Sequence, residues 1–250
     1  DTMIPILNPA GVQELMDYGL YAYALSRFAG TWAAVKCVKD NIESTASVDG
    51  SIDRVKIILP TDFEMPPGGL NIRHEIDYLG QEARLHEFKR AAAVAFVKAN
   101  RLNQIVMSGG PKARLGIVSV GKSYLDELGI DEVAANRLGI RLFKVACPWP
   151  MIPEEIVDFA RGLETIIVVE EKRSLIEVQL REELYGQPHQ PRLIGKRDER
   201  GEWLFPVKGA LDPNEIGVAI GERILRYAPS DELARKVSSL KQAQARLSET

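Results

Sequence analysis

Two carboxylates and two cations stand together after an apolar run and are the first candidates for chemistry. Glu170 and Glu171 follow the run Thr165–Val169, and Lys172 and Arg173 come next. Two carboxylates act as a general acid and base only when both face one substrate. Because neighbouring strand residues point to opposite faces, the pattern favours a salt-bridged contact edge, with a carboxylate paired to Lys172 or Arg173. We therefore assign no catalytic residue and predict that Arg173 is an interface group.

A second candidate is the tripeptide Gly121, Lys122 and Ser123, which also follows an apolar run. The letters superficially resemble the end of a phosphate-binding loop. Such a loop needs a further glycine upstream and a loop before the lysine, whereas the residues here indicate a strand. Gly121 is better explained as a turn between a strand and a helix, where free amide groups favour an anion. We predict that these three residues contact an anion.

The remaining nucleophiles and metal ligands lack the neighbours that chemistry needs. Cys147 has no histidine nearby in sequence to activate it, which favours a buried structural thiol. Cys37 lies too far away for a CxxC metal motif, and we expect two buried thiols in a reducing cytosol, with a disulfide as the other interpretation. Trp149, between two prolines, is expected to be a packing anchor at an interface or core edge. The histidines have no metal-like spacing and are expected at the surface: His74, His86 and His189.

Strands and helices alternate from about residue 113, which would bring the candidate residues to one edge of a sheet. The pattern predicts three strands, Arg114–Val120, Arg141–Ala146 and Thr165–Val169, each followed by a helix. Alternation at this spacing implies parallel strands with right-handed crossovers. Ligands and partner domains dock at the carboxyl ends of such strands, where Gly121 and Glu170 stand.

Three further segments complete the second half of the chain. The helix after Ser123 is expected to break at Gly129. Two short runs, Arg192–Lys196 and Glu202–Phe205, flank a turn and predict a small hairpin. The charged stretch Ser230–Glu249 is expected to be a surface helix or a frayed tail.

The first hundred residues give a sparser pattern. Apolar residues at three- and four-residue intervals predict a helix over Pro9–Phe28 with Asn8 as its cap, and strands are expected at Trp32–Val38 and Val55–Leu59. One helix and two strands bury little area, so this part resembles the torn edge of a larger α/β domain. A breaker stretch and a long helix follow: Pro66–Arg73 and Ile76–Asn100.

Composition excludes several classes of function. The chain has 250 residues, of which 45% are hydrophobic and 27% charged, as in an ordinary soluble globular protein. A net charge of −3 with mixed signs argues against nucleic acid as a partner. No apolar stretch is long enough to span a bilayer and no secretory signal is present, so a cytoplasmic location is expected. The chain opens at Asp1 rather than Met, which we interpret as an internal segment of a longer protein, with processing as the alternative.

Several segments, taken together and in order, resemble one family over nearly the whole chain. They are PILNPAGVQELMDYGLYAYALSRFAGTW, LPTDFEMPPGGLNIR, QEARLHEFKRAAAVAFVKANRLNQI, ARLGIVSVGKSYLDEL, LFKVACPWPMIPEEIVDFARGLETIIVVEEKRSLIEVQLREELYG and LIGKRDERG. This pattern resembles the thiamine-diphosphate-dependent 2-oxoacid:ferredoxin oxidoreductases, and within them the indolepyruvate branch in its long fused form. The resemblance implies CoA-dependent oxidative decarboxylation of an aryl 2-oxoacid such as indolepyruvate. It implies ferredoxin, coenzyme A and further copies of the chain as partners, with neither nucleic acid nor membrane.

The resemblance also implies the fold. Residues 113–228 would form a three-layer α/β/α domain like the transketolase C-terminal domain, with a mostly parallel sheet. Residues 1–65 would be the C-terminal part of the domain that binds the thiamine pyrimidine. Residues 66–112 would be a linker and long helix, and residues 229–250 a helical tail.

The sequence lacks the residues that hold the family's cofactors. It has no GDG…N metal–diphosphate motif and no cysteine cluster, and the family's catalytic glutamate belongs upstream of Asp1. Thiamine diphosphate, magnesium and iron–sulfur clusters are therefore expected in the parent protein and not in this chain, which should be inactive by itself. In this context Gly121, Lys122 and Ser123 become a coenzyme A contact. Two alternatives stay open: a non-catalytic α/β module that binds a nucleotide or coenzyme A, and a dimerisation domain that pairs through the helix at Pro9–Phe28.

Overall fold

The computed structural model describes residues 2–126 and 131–248, and their contacts divide the chain into two compact units. Unit 1 comprises Asp1–Asn103 and Val145–Ile152, and unit 2 comprises Gln104–Lys144 and Pro153–Thr250. None of the helices within the described ranges combines the length and the apolar character needed to cross a membrane. The domain boundaries expected from the family resemblance (residues 1–65, 66–112, 113–228 and 229–250) stay predictions, because a division into compact units does not show which family domain each segment belongs to.

Unit 2 is organised by a five-stranded sheet in the order β3-β5-β4-β6-β7. The strands are β3 (Gln104–Met107), β4 (Leu115–Val120), β5 (Ile140–Val145), β6 (Thr165–Val169) and β7 (Arg192–Ile194). β6 runs parallel to β4 on one side and to β7 on the other, and β3 runs antiparallel to β5 at the edge. The predicted α/β class with a mostly parallel sheet is confirmed.

Strands β4 and β6 are buried at every residue. Because alternate side chains of a strand point to opposite faces, such strands need cover on both sides. Gly116 on β4 marks the closest packing. A β-carbon there would lie 2.6 Å from Leu163 Cδ1 and 2.9 Å from Phe159 Cζ, so only glycine fits without a shift.

Six helices of unit 2 connect or follow these strands in the described ranges. They are α5 (Lys122–Asp126), α6 (Glu132–Leu138), α7 (Pro153–Ala160), α8 (Ile176–Leu184), α9 (Pro213–Tyr227) and α10 (Asp231–Ser248). Asp131 caps α6 by accepting the Ala134 N–H at 2.7 Å, and Gly139 ends it in the left-handed conformation. The predicted break at Gly129 lies outside the described residues. The charged stretch predicted as a helix or a frayed tail is helical as α10.

The predicted hairpin near residue 200 forms only in part, because Arg192–Ile194 joins the sheet as β7. β7 pairs in parallel with β6 instead, with Arg192 opposite Thr165 and Ile194 opposite Ile167. The apolar side chain of Ile194 is fully buried, and this burial places the segment in the sheet. The tip of the hairpin is present: Arg197 and Trp203 form an antiparallel bridge, the Leu204 N–H donates to the Lys196 carbonyl at 3.0 Å, and the Asp198 N–H donates to the Glu202 carbonyl at 2.8 Å.

Unit 1 contains one two-stranded parallel pair and helices packed against each other. Its elements are β1 (Ile6–Leu7), α1 (Val12–Ala29), β2 (Ala34–Val35), α2 (Lys39–Ile42), α3 (Tyr78–Arg84), a π-helical segment (Leu85–Lys89) and α4 (Arg90–Ala99). The long helix expected at Ile76–Asn100 is therefore present, with a π-helical middle. Its alanines Ala92 and Ala93 pack on Leu25 and Ala29 of α1.

Two sequence predictions for unit 1 are wrong. Val55–Leu59 forms no strand, although its residues are strand formers. In place of a neighbouring strand, the Asn100 carboxamide accepts the Ile58 N–H and donates to the Ile58 carbonyl, both at 2.8 Å. Asn8 does not cap α1, because Gly11 occupies the cap position and Asn8 is buried with its N–H donating to the Ala146 carbonyl.

A partly buried ion-pair cluster joins the turn before Trp203 to α9. Glu199 accepts Arg223 Nη2 at 2.7 Å and Nε at 3.2 Å, and Arg226 Nη1 at 2.6 Å. Burial by itself raises the pKa of Glu199. The hydrogen bonds and the charges of Arg223 and Arg226 outweigh burial and lower that pKa from 4.5 to about 2.

Replacing Glu199 with glutamine should flatten the acid limb of the stability curve. A depressed folded-state pKa stabilises the native protein above pH 4.5, and that contribution is lost as the pH falls towards 2. Glu199→Gln should lower the free energy of unfolding at pH 7 by about 1–3 kcal/mol and remove this loss. Urea denaturation from pH 7 to pH 3 measures both. Glu222→Gln, at the more exposed carboxylate of the same cluster, is the control. The assignment is contradicted if the unfolding free energy of Glu199→Gln falls between pH 7 and pH 3 as steeply as that of the unmodified protein.

Candidate functional site

The carboxyl ends of β4, β6 and β7 meet at one edge of the unit 2 sheet. The register fixes this arrangement, because Thr165 at the start of β6 pairs with Leu115 of β4 and with Arg192 of β7. The turns that leave this edge begin at Gly121, Glu170 and Gly195. The structure thus brings Gly121, Lys122, Ser123 and Arg173, four of the five predicted site residues, to the same edge.

Glu170 fills the turn after β6 with its own carboxylate. Its Oε2 accepts the N–H groups of Leu175 and Ile176, both at 2.9 Å, and its Oε1 accepts that of Glu177 at 3.1 Å. These are the N–H groups that a helix leaves unpaired at its start, here that of α8. The carboxylate therefore occupies the position where an external anion would bind.

The predicted pairing of Glu170 with a cation that follows it is wrong. Lys172 Nζ donates to the Gly209 carbonyl at 2.6 Å. Arg173 is exposed, and within the described part of the chain its guanidinium has no bonded partner. The backbone of Lys172 has φ of 61°, a left-handed conformation that costs energy for a residue other than glycine.

Glu177 joins α8 to the end of β7. Its Oε2 accepts the Lys196 N–H at 3.0 Å and the Ser174 hydroxyl at 3.1 Å, and its Oε1 accepts Arg181 Nη2 at 2.7 Å. Burial raises the pKa of Glu177, but these donors outweigh burial and lower it. A β-carbon at Gly195 would lie 2.4 Å from Glu177 Oε2, so the turn requires glycine. The β6 and β7 turns are thus satisfied internally.

The turn after β4 is different, because two buried hydroxyls there lack a hydrogen-bond partner. Ser119 and Ser123 are buried, and neither Oγ has a partner in the described structure. Gly121 between them has φ of 59°, which glycine adopts without strain. An unpaired buried hydroxyl costs free energy and calls for an explanation. The hydroxyls of this turn could therefore form hydrogen bonds with a ligand.

Lys144 near the end of β5 is a group that the sequence analysis missed. Its Nζ lies 4.5 Å from the centre of the Tyr124 ring on α5, which follows the β4 turn. Burial lowers the pKa of Lys144 to about 8, so part of the amine is neutral near physiological pH. The available signal was a lysine between apolar residues, since Leu142 and Phe143 precede it and Val145 follows it.

Trp149, the fifth predicted site residue, lies in unit 1. It is half-buried, and its carbonyl accepts the Ile6 N–H of β1 at 2.8 Å. Cys147 beside it is buried, as predicted, but Cys37 is exposed, so the expectation of two buried thiols is wrong for Cys37. The three histidines are exposed, as predicted.

The described residues do not fit a magnesium–diphosphate site. Magnesium is held by converging carboxylate and other oxygen ligands. Within residues 2–126 and 131–248, no three His, Cys, Asp or Glu side chains come close enough together to hold a metal ion. We derive no step through thiamine diphosphate or magnesium from this chain.

A cleft of about 890 Å³ in unit 2 lies elsewhere and offers little chemistry. Its walls include Glu199, Arg223, Arg226, Glu222 and Lys241. These charges neutralise one another, with Lys241 Nζ 2.6 Å from Glu222 Oε1. The cleft is therefore an ion-pair network rather than a set of groups that await a ligand.

Comparison with known proteins identifies the family. The model of the indolepyruvate oxidoreductase domain family matches residues 105–247, which is more than half of the chain. The chain belongs to this family. The match covers β4, β6 and β7 and every turn of the sheet edge, so the described edge is part of the family domain.

Two curated relatives agree with this assignment. They are the indolepyruvate oxidoreductase subunits IorA of Pyrococcus horikoshii and Pyrococcus abyssi, each 25% identical over 190 residues. The alignment covers 71% of this chain, and the chain spans 27% of the length of these relatives.

Solved structures show the same fold at low sequence identity. A 2-oxoglutarate:ferredoxin oxidoreductase from Magnetococcus marinus, bound to 2-oxoglutarate, coenzyme A and succinyl-CoA, matches with a TM-score of 0.51 and 14% identity. The match covers 88% of this chain and 42% of that one. A split-gene transketolase, an inactive β4 tetramer, matches with a TM-score of 0.48 and 13% identity over 90% of this chain and 58% of its own. The match to the 2-oxoglutarate:ferredoxin oxidoreductase shows that the two chains share an α/β fold.

Neutralising Glu170 should destabilise unit 2 far more than neutralising its neighbour. Glu170→Gln keeps the side-chain length but sets an amide donor against backbone N–H groups, which should cost about 1–3 kcal/mol in unfolding free energy. In the part of the chain that the structure describes, Glu171 accepts one hydrogen bond, from the Leu211 N–H at 3.5 Å, so Glu171→Gln should change stability by less than about 0.5 kcal/mol. Urea denaturation followed by circular dichroism compares the two variants, and equal losses would contradict the capping role.

Proposed function

We propose that this chain is a structural and interface part of an indolepyruvate (aryl 2-oxoacid):ferredoxin oxidoreductase that carries out CoA-dependent oxidative decarboxylation. The family match over residues 105–247 carries the proposal. Thiamine diphosphate would supply the electron sink for that chemistry. The sequence has no GDG…N motif and no cysteine cluster, and no three His, Cys, Asp or Glu side chains of the described residues could hold a metal ion. In this proposal other parts of the enzyme hold thiamine diphosphate, magnesium and the iron–sulfur clusters, and ferredoxin takes the electrons.

Unit 1 supports the proposal that residues 1–65 are the C-terminal part of a pyrimidine-binding domain. Val55–Leu59 is rich in β-branched residues and exposed from Lys56 onwards, and in the described structure the Asn100 side chain makes the hydrogen bonds to Ile58 that a neighbouring strand would make. An apolar, strand-forming segment without a neighbouring strand is expected to pair with a strand from another part of the enzyme. The transketolase C-terminal-like domain would then correspond to residues 113–228.

The β4 turn supports a contact between Gly121, Lys122, Ser123 and an anionic group of coenzyme A. Of the two turns that lead from the sheet edge into helices, the one after β6 is already occupied by the Glu170 carboxylate. The β4 turn instead has two buried hydroxyls that await partners. A lysine beside them supplies the charge that a phosphate requires.

Trp149 and Arg173 are proposed as contacts with other parts of the enzyme. Arg173 is an exposed cation next to a strained backbone position, and exposed arginines with no intramolecular partner are frequent binding anchors. We further propose that the enzyme is a homo-oligomer and cytoplasmic, where the free thiols of Cys37 and Cys147 would stay reduced.

The chain by itself should show no turnover. Supplied with thiamine diphosphate, Mg²⁺, coenzyme A and indolepyruvate, it should not reduce methyl viologen, because it lacks the residues that hold the cofactors. The complete enzyme under the same conditions is the positive control. Measurable viologen reduction by the chain would overturn the proposal, and a thermal shift with ATP but not coenzyme A would favour the nucleotide-binding alternative.

Lys122→Ala in the complete enzyme should weaken coenzyme A binding without slowing the chemical step. Loss of one charged contact should raise the KM for coenzyme A about fivefold, equivalent to roughly 1 kcal/mol, with kcat unchanged. Lys112→Ala, before the amino end of β4, is the matched control and should leave the KM unchanged. An unaltered KM in Lys122→Ala removes the proposed contact.

A further inference from the structure

Ser119 and Lys144 lie side by side near the ends of two neighbouring strands. β5 is next to β4 in the sheet, and the Leu115 N–H at the start of β4 donates at 3.3 Å to the Gly139 carbonyl, just before β5. The two strands therefore begin at the same edge and run in parallel, with Leu115 beside Ile140. Four residues further along each strand, Ser119 lies beside Lys144, on backbones about 4.8 Å apart.

Both side chains point to the same face of the sheet. Residues two and four positions earlier on each strand belong to one buried apolar cluster: Leu115, Ile117, Ile140 and Leu142. Because side chains of a strand alternate between faces, Ser119 and Lys144 continue the face that carries this cluster. Tyr124 packs against the same cluster, with its ring centre 4.5 Å from Lys144 Nζ. Ser119, Tyr124 and Lys144 therefore lie on one face at the carboxyl edge of the sheet.

The polar groups at this edge are costly to bury. Ser119 and Ser123, which directly precedes Tyr124, are 0% and 1% exposed, and neither Oγ has a hydrogen-bond partner in the described structure. Burial also lowers the pKa of Lys144 to about 8, because its ammonium form is less stable here than in water. An anion that accepts from the hydroxyls and lies beside the amine would stabilise all three groups.

We propose that Ser119, Ser123 and Lys144 bind a terminal phosphate group, and that this group is the 3′-phosphate of coenzyme A. The inference rests on the coenzyme A contact of the proposed function. It adds Ser119 and Lys144 to that contact and states which part of the ligand they bind. Lys122, in the turn between the two serines, supplies a second positive charge.

The burial of the hydroxyls selects the kind of phosphate. Coenzyme A carries an internal diphosphate, flanked by other groups on both sides, and a phosphate monoester that projects from the ribose. Only a terminal group can enter a turn whose hydroxyls are shielded from solvent. A monoester carries close to two negative charges at neutral pH, which the ammonium groups of Lys122 and Lys144 match, and its three free oxygens accept from the serine hydroxyls.

Ser119→Ala distinguishes a ligand-binding hydroxyl from a structural one. Without ligand the variant loses an unpaired buried hydroxyl, so the thermal midpoint of the chain should rise by about 2–4 °C. In the complete enzyme the same variant should raise the KM for coenzyme A about fivefold. Ser108→Ala is the control, because Ser108 Oγ already donates to Glu132 Oε1 at 2.8 Å. It should not raise the midpoint and should leave the KM unchanged.

Dephospho-coenzyme A, which has the same thiol but lacks the 3′-phosphate, tests the identity of the bound group. In the complete enzyme its KM should exceed that of coenzyme A at least about tenfold. Lys144→Met removes the charge at similar length and should bring this ratio close to one, whereas Lys144→Arg keeps the charge and should retain part of the preference. Lys112→Met, at an exposed lysine before the amino end of β4, is the control and should keep the full ratio.

The outcomes separate this inference from the proposed function. A midpoint that falls or a KM that stays unchanged in Ser119→Ala overturns the phosphate site. Equal KM values for the two thiols in the unmodified enzyme, or a preference that survives Lys144→Met, also overturn it. A raised KM in Lys122→Ala without any preference for the 3′-phosphate overturns only this inference and supports the broader coenzyme A contact. Turnover that does not require coenzyme A contradicts the proposed function itself.

Discussion

Strands β4 and β6 lie side by side without one exposed residue, and the rest of unit 2 follows from this constraint. A sheet buried on both faces needs helices on both faces, which the crossovers supply. The same arrangement leaves the polar ends of the strands at one edge. There the protein must satisfy the amides that begin each helix, and it does so at α8 with the Glu170 carboxylate.

The two turns that lead from this edge into helices solve that problem differently. After β6 an internal carboxylate closes the site, and Glu177 ties the closed turn to β7. After β4 the chain supplies glycine, a lysine and two unpaired hydroxyls at Ser119 and Ser123. The anion contact that we propose is therefore placed at the β4 turn, whereas the Glu170 carboxylate already occupies the β6 turn.

Sequence patterns predicted the elements whose stability lies within the chain. Thr165–Val169 was predicted to the residue because a five-residue run rich in β-branched side chains and bounded by glutamates is typical of an interior strand. Val55–Leu59 was predicted with equal reason and failed, because a strand also needs a neighbour and this one has only the Asn100 side chain. The capping role of Glu170 was invisible because its donors lie five to seven residues later, beyond any local pattern. The unpaired hydroxyl of Ser119 depends on the surrounding packing, which a linear pattern does not encode.

The central claim is that unit 2 completes its own sheet, whereas the strand former at residues 55–59 has no neighbouring strand in the described structure. Amide hydrogen exchange followed by mass spectrometry tests this claim most directly. Peptides covering residues 115–120 and 165–169 should exchange slowest, because opening them exposes the core of unit 2. Peptides covering residues 55–59 should exchange rapidly, with Ile58 the most protected amide among them. Protection of residues 55–59 equal to that of β4 would show that unit 1 forms its own complete sheet and would contradict the account.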